Sequence, residues 1–183
     1  MTAEELLERY VAGERDFSGV DLSDTNLAGT DLRDINLSDA CLARVSLQGA
    51  DLERANLQNA GLGDAYLAGV NLREAILEGA ALENTSLAGA NLCQANMRGV
   101  CGRALFWGAQ MVGTDLTDAY LCQSMFDGAN LSKAILTGAN FMEVSLRRVD
   151  LRGCIGANLK SVTMMATILP DGTIAHADVY QWP

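Results

Sequence analysis

Aromatic residues make up only 5% of this 183-residue chain, proline occurs twice and histidine once. Each scarcity excludes a class of chemistry. The lone His176 lies near the C-terminus, so a Ser or Cys nucleophile elsewhere would lack a histidine base. With no Cys-x-x-Cys pair to join that histidine, no zinc or other metal site is expected. No Gly-x-x-x-x-Gly-Lys loop and no dinucleotide fingerprint occur, so no cofactor is expected. No apolar run approaches the roughly 18 residues of a membrane span. The opening Met1-Thr2-Ala3-Glu4-Glu5 has no basic segment leading into an apolar one, so no signal peptide is read and cytoplasmic residence is the expectation. The five cysteines are odd in number and lack paired spacing, which fits reduced thiols better than a disulfide framework.

Basic residues are scarce too, 13 against 23 acidic ones, for a net charge of −10. The imbalance is confined to residues 1–83, which hold 16 acids and 6 bases, whereas residues 84–183 hold 7 of each. A basic nucleic-acid footprint is absent, so direct nucleic-acid binding is not expected. An acidic half repels membranes and DNA; it either attracts a basic partner or keeps the molecule in solution.

What the chain has in abundance is one five-residue phrase, clearest in Ala50-Asp51-Leu52-Glu53-Arg54-Ala55-Asn56-Leu57-Gln58-Asn59. A large apolar residue stands at each centre and a small apolar one (Ala, Val, Thr or Ile) two places before it. A helix would rotate successive centres by about 140°, so Leu47, Leu52 and Leu57 would share no face. A continuous strand would throw every second centre into water. Residues two apart on a short extended piece do share a face, so Ala50 and Leu52 point inward together. The chain must then turn within Glu53-Arg54 before Ala55 and Leu57 repeat the pattern. Extended pieces joined by corners around their own core make a solenoid. The coil length follows from outward residues: Gly29, Gly49, Gly69 and Gly89 recur every twenty positions. Asp24, Arg44 and Asp64 form a second such row and Arg33, Glu53 and Arg73 a third, with alternating sign. Opposite charges stacked one coil apart, at about 4.8 Å, imply four phrases per coil.

In tandem, A-(D/N)-L-x-x resembles the pentapeptide repeat family over nearly the whole chain. That resemblance implies an all-β fold, a right-handed quadrilateral β-helix. The capping box, the Pro-Asp-Gly ending and the unbroken early repeats are similar to small cyanobacterial members. The family also includes DNA-mimicking proteins that bind gyrase and dimerise through their C-terminal ends, which gives an alternative function. Against it, the Asp24, Arg44, Asp64 row mixes signs where phosphate mimicry wants a sustained negative stripe.

Three segments are expected: an N-terminal capping helix within residues 1–13, the β-helix over 14–168, and a C-terminal cap or tail over 169–183. Thr2 and Glu5 form a capping box, Leu6, Leu7, Tyr10 and Val11 an apolar stripe, and Gly13 a stop. Centres run without a slip from Phe17 to Met97. At Val100-Cys101-Gly102-Arg103 a central residue is missing, and centres resume at Phe106. Because Gly89 is followed by Gly108 and Gly128, the four-sided register survives, with a tightened corner near Gly102. Phe106 and Phe126 then stack one coil apart beneath Leu87. A second interruption at Cys154-Ile155-Gly156 comes before Ala157-Asn158-Leu159, which is expected to restore the phrase, with later centres at Met164, Leu169 and Ile174. Leu169-Pro170-Asp171-Gly172-Thr173-Ile174 carries a turn signal. Cys154 takes an inward position; the other cysteines fall outward.

The functional expectation is a non-catalytic structural or interaction module with an unidentified protein partner, not an enzyme. Outward positions beside the first slip are unusually apolar: Leu105, Trp107 and Met125 on one face, and Tyr120, Cys122 and Met142 on an adjoining one. Such a patch marks a candidate interface. Tyr180 and Trp182 in the tail are a candidate C-terminal contact, leaving the chain a monomer or an end-to-end dimer. An enzyme would need a pocket at Val100–Arg103 or Cys154–Gly156. The Asp31, Asp51, Asn71, Asn91 row fits stacked hydrogen bonding better than a cation site.

Overall fold

The computed structural model describes residues 1–175. Helix α1, Ala3–Val11, is capped by Thr2, whose hydroxyl accepts the Glu5 N–H at 3.1 Å. Leu6 is fully buried against the first coil, with Ala3, Leu7 and Tyr10 packed around it. The Tyr10 hydroxyl donates to the Arg33 carbonyl at 2.9 Å. Val11 does not join this stripe and is 84% exposed. At about 100° per residue it sits roughly 140° round the helix from Leu6, on the solvent side.

From Asp16 onward the chain winds as a four-sided β-helix. Each phrase contributes one residue, just before its centre, to a parallel bridge with the next coil. The first side runs from Asp16 through Asn36 to Ile155, the second from Asp21 through Cys41 to Asn140. The third runs from Asn26 through Leu105 to Thr163, and the fourth from Asp31 through Asp51 to Ile168. The regular corners are turns closed by a hydrogen bond back to the centre, as from Ala55 N–H to Leu52 O at 3.0 Å. The second residue after the centre takes positive φ, for example 59° at Arg54 and 65° at Gly49. That is the third position of a type II turn. The turn therefore falls within Glu53-Arg54, and the glycines spaced twenty apart occupy left-handed corners. Large side chains hold the same strained conformation at Lys133 and Glu143.

The centres and the small residues two places before them form one continuous core, with Leu22, Leu52, Ala55, Leu87 and their equivalents fully buried. Phe106 and Phe126 stack with centroids 4.5 Å apart, and Phe126 meets Phe141 at 5.4 Å. Among the described residues four polar side chains are fully buried at inward positions, and each finds a partner. Thr85, Thr114 and Thr167 donate to the carbonyls of Leu62, Leu92 and Leu146, and the Ser124 hydroxyl accepts the Ala104 N–H.

At the first slip the bridge spacing falls from twenty (Ala81 to Cys101) to nineteen (Ser86 to Leu105) and then recovers (Leu105 to Met125). At the second, two residues are lost, giving Ser145 to Thr163. Here Ala157-Asn158-Leu159 does not restore the wall. Asn158 makes no bridge to Asn140 and Leu159 is only half-buried; the phrase resumes at Val162-Thr163-Met164. The reason is span: three residue steps separate Ile155 from Asn158 where five normally turn a corner. The expected centre at Ile174 is also corrected. Strand β1, Thr167–Ile168, pairs antiparallel with β2, Ile174–Ala175, across the Pro170–Gly172 turn, and Ile174 is 49% exposed. Hairpin pairing carries the chain back across the coil end and so takes Ile174 out of the core.

Candidate interaction surface

Every bridge residue faces outward, so a column of them forms each flat side. On the third side Leu105 and Met125 are direct bridge neighbours. Leu105 is half-buried and Met125 38% exposed. Trp107, one place past the Phe106 centre, stands 46% exposed on the corner toward the fourth side. Tyr120 lies on the adjoining second side, 55% exposed, bridged to Cys101. Between them, Cys122 and the 48% exposed Met142 occupy one corner on successive coils. A hydrogen bond with the Cys122 thiol raises the Tyr120 phenol pKa. The five residues singled out by sequence thus form one band across two sides. Tyr66, 52% exposed on the third side two coils above Leu105, extends it. It occupies the same outward position as Leu105, so the phrase itself held that signal. Tyr180, Trp182 and His176 lie outside the described residues.

Charge is organised differently in the first coils. Arg44 clamps Asp24 one coil above with two 2.6 Å hydrogen bonds, and Arg54 clamps Asp34 with two at 2.8 Å. The Arg33, Glu53, Arg73 row does not pair as its alternating signs imply. Arg33 turns to Asp31 at 2.6 Å, Glu53 meets Arg54 and Arg73 meets Glu74, because a carboxylate on the same coil lies nearer. The Arg33 guanidinium, helped by its own backbone N–H, lowers the Asp31 carboxyl to about 2. Asp24 and Asp34 are lowered chiefly by their Arg44 and Arg54 hydrogen bonds. In the Asp31, Asp51, Asn71, Asn91 row, Asn71 donates to Asp51 at 2.8 Å and Asn91 to Asn71 at 3.0 Å. Amide ladders of this kind occupy the acceptors a cation would need. Among the described residues no group of three or more metal-ligating side chains converges. All five cysteines are unpaired; Cys154 is buried, which raises its thiol pKa.

The two irregular regions differ. Val100–Arg103 is closed: the Gly102 N–H bonds Tyr120 O, Arg103 N–H bonds the Glu83 carboxylate, and Ala104 N–H bonds Ser124. Beside Gly156 the wall opens into a cavity of about 360 Å³ between Gly138–Met142 and Asn158–Ser161. Lys160 is the one titratable side chain among its lining residues. No helix among the described residues is long and apolar enough to cross a membrane.

The sequence profile of pentapeptide repeats matches this chain in overlapping copies from residue 16 to residue 164. No curated protein matches it. Among solved structures, HetL, a pentapeptide repeat protein involved in heterocyst differentiation regulation from the cyanobacterium Nostoc sp. strain PCC 7120, is 27% identical. The alignment covers 96% of this chain and all of HetL, with a TM-score of 0.39. A trypsin-treated form of QnrB1, a plasmid-mediated fluoroquinolone resistance protein, is 21% identical over 82% of this chain and 80% of its own, with a TM-score of 0.42. The Nostoc pentapeptide repeat protein alr5209 is 24% identical over 90% and 96%, with a TM-score of 0.24. With its repeats matched from end to end of the coil, the chain belongs to the pentapeptide repeat family, whose members imply a right-handed quadrilateral β-helix.

Proposed function

We propose that this protein is a non-catalytic interaction module, a four-sided rod that offers the band of Leu105, Trp107, Tyr120, Met125 and Met142 to a protein partner. The observation that carries this reading is the exposure of four large apolar side chains on two adjoining sides. A non-catalytic role is supported by how the carboxylates are used. Those of the first coils are clamped by arginines, and others cap backbone amides, as Asp21 does for Ser23. In this module residues 1–13 cap the rod, 14–168 wind it and 169–183 close it. Cytoplasmic residence is part of the proposal, supported by five unpaired thiols.

The test is capture from native extract with Leu105→Glu and Trp107→Glu combined, after circular dichroism has shown an intact fold. Loss of the partner is expected; unchanged recovery removes the band. The DNA-mimicking, gyrase-binding alternative has less support, because Arg44 and Arg54 interrupt the acidic rows. A supercoiling assay with purified gyrase decides it, and no effect at micromolar protein disposes of it. Self-association through Tyr180 and Trp182 is read from the molar mass in solution of the Trp182→Ser variant against the parent chain.

A further inference from the structure

The cavity beside Gly156 meets the apolar band at Met142 but has its own chemistry. In the coil above, the second side closes through three bonds: Asp118 N–H to Thr137 O, Leu121 N–H to Asn140 O, and Asn140 N–H to Ala119 O. One coil on, the equivalent groups are the N–H of Gly138, the N–H of Phe141 and the carbonyl of Ala139. Among the described residues none of the three has a partner across the wall. The edge therefore presents donor, acceptor, donor, which is the complement of an extended main chain offering carbonyl, amide, carbonyl. The slot is shut at both ends, where Leu136 N–H bonds Ile155 O at 2.7 Å and Glu143 N–H bonds Ser161 O at 2.9 Å. A strand running through is therefore blocked, whereas a chain end is not. Lys160 is the slot's cationic lining residue, alongside Asn158 and Ser161.

The geometry points to a site for the carboxyl-terminal end of a peptide, its last residues pairing with Gly138–Phe141 and its terminal carboxylate held by Lys160. The volume of about 360 Å³ suits two or three small residues. A cationic residue in the lining favours a free carboxylate over a neutral amide end. Met142 belongs to both the site's lining and the apolar band, but Leu105 and Trp107, where the band is tested, are not among the lining residues.

The experiment is a titration of the full-length, nitrogen-15-labelled protein, followed through the amide resonances of Gly138 and Phe141. The probes are acetyl-Ser-Ala-Ser with a free carboxyl end, the same peptide as its amide, and sodium acetate. Saturable shifts of both amides with the free acid are expected, with affinity at least fivefold weaker for the amide. Lys160→Glu should weaken the free acid by a similar factor; Lys160 lies on the surface, so the fold is retained. Equal shifts from acid and amide, the same shifts from acetate alone, or none at millimolar peptide would each overturn the proposal.

Discussion

The two places where the repeat loses residues behave in opposite ways. At Gly102 a single residue is gone, and the wall stays closed because every displaced amide is caught by a neighbour: Tyr120 O, the Glu83 carboxylate and the Ser124 hydroxyl. Past Ile155 two residues are gone, and the Gly138 and Phe141 amides are left without partners among the described residues. Both slips begin on a glycine pressed against the corner above. A Cβ on Gly102 would stand 2.6 Å from Glu83 N, and one on Gly156 2.7 Å from Thr137 Cα. The difference teaches that a close approach at one glycine can absorb one residue. A second loss exceeds what the corner can span, and the ladder breaks. Core exposure follows: Phe106 is fully buried, whereas Ala139, Phe141, Cys154 and Met164 around the open slip are the residues with 4–9% exposure.

That contrast can be broken from either side. Phe106→Ala removes a stacked ring from a closed core and should lower stability by roughly 4 kcal/mol, with Phe141→Ala costing clearly less because the open slip lets its surroundings relax. Denaturant unfolding of the two variants checks the order, and equal losses would mean that the slot is as tightly packed as the closed corner. Next in size, Gly102→Ala combines φ of 116° with a backbone clash and should cost about 3 kcal/mol. Gly156→Ala, near the rod's open end, should cost about half that by thermal unfolding. Inserting Ser-Asp between Gly156 and Ala157 restores the normal span. It should let Asn158 bridge Asn140, protect the Gly138 and Phe141 amides from hydrogen exchange, and add about 1 kcal/mol.

The smallest effect is on acidification. The Asp24, Asp31 and Asp34 pKa values are lowered in the fold, so their contribution is complete above the ordinary carboxylate value of 3.8. It fades as pH falls toward the Asp31 value of about 2. Hydrogen exchange should therefore loosen the first coils between pH 4 and pH 2. It should leave the difference between Phe141 and its closed counterpart Leu121 unchanged.

The five-residue period made much of this legible. It requires corners, and the twenty-residue rows of Gly29 to Gly89 and Asp24 to Asp64 give the coil length. Even the slip at Gly102 could be counted, since Gly108 returns one place early and Gly128 follows twenty later. Val11 and Ile174 are exposed for one reason: apolar character says that a residue can be buried, and backbone direction decides whether it is. The Arg33, Glu53, Arg73 row failed because side-chain reach lets an arginine choose a carboxylate on its own coil over one on the next. Tyr66 shares the outward position of Leu105, but it stands in a regular stretch of the repeat where no slip marks it.

By itself, the sequence determined the periodic core, the place of the corners and the residue missing near Gly102, because each is a property of spacing along the chain. Only the tertiary structure decided which slip closes and which opens. Closure depends on what the neighbouring coils supply: Ser124 and Glu83 stand ready beside one break, whereas beside the other the Gly138 and Phe141 amides meet nothing among the described residues.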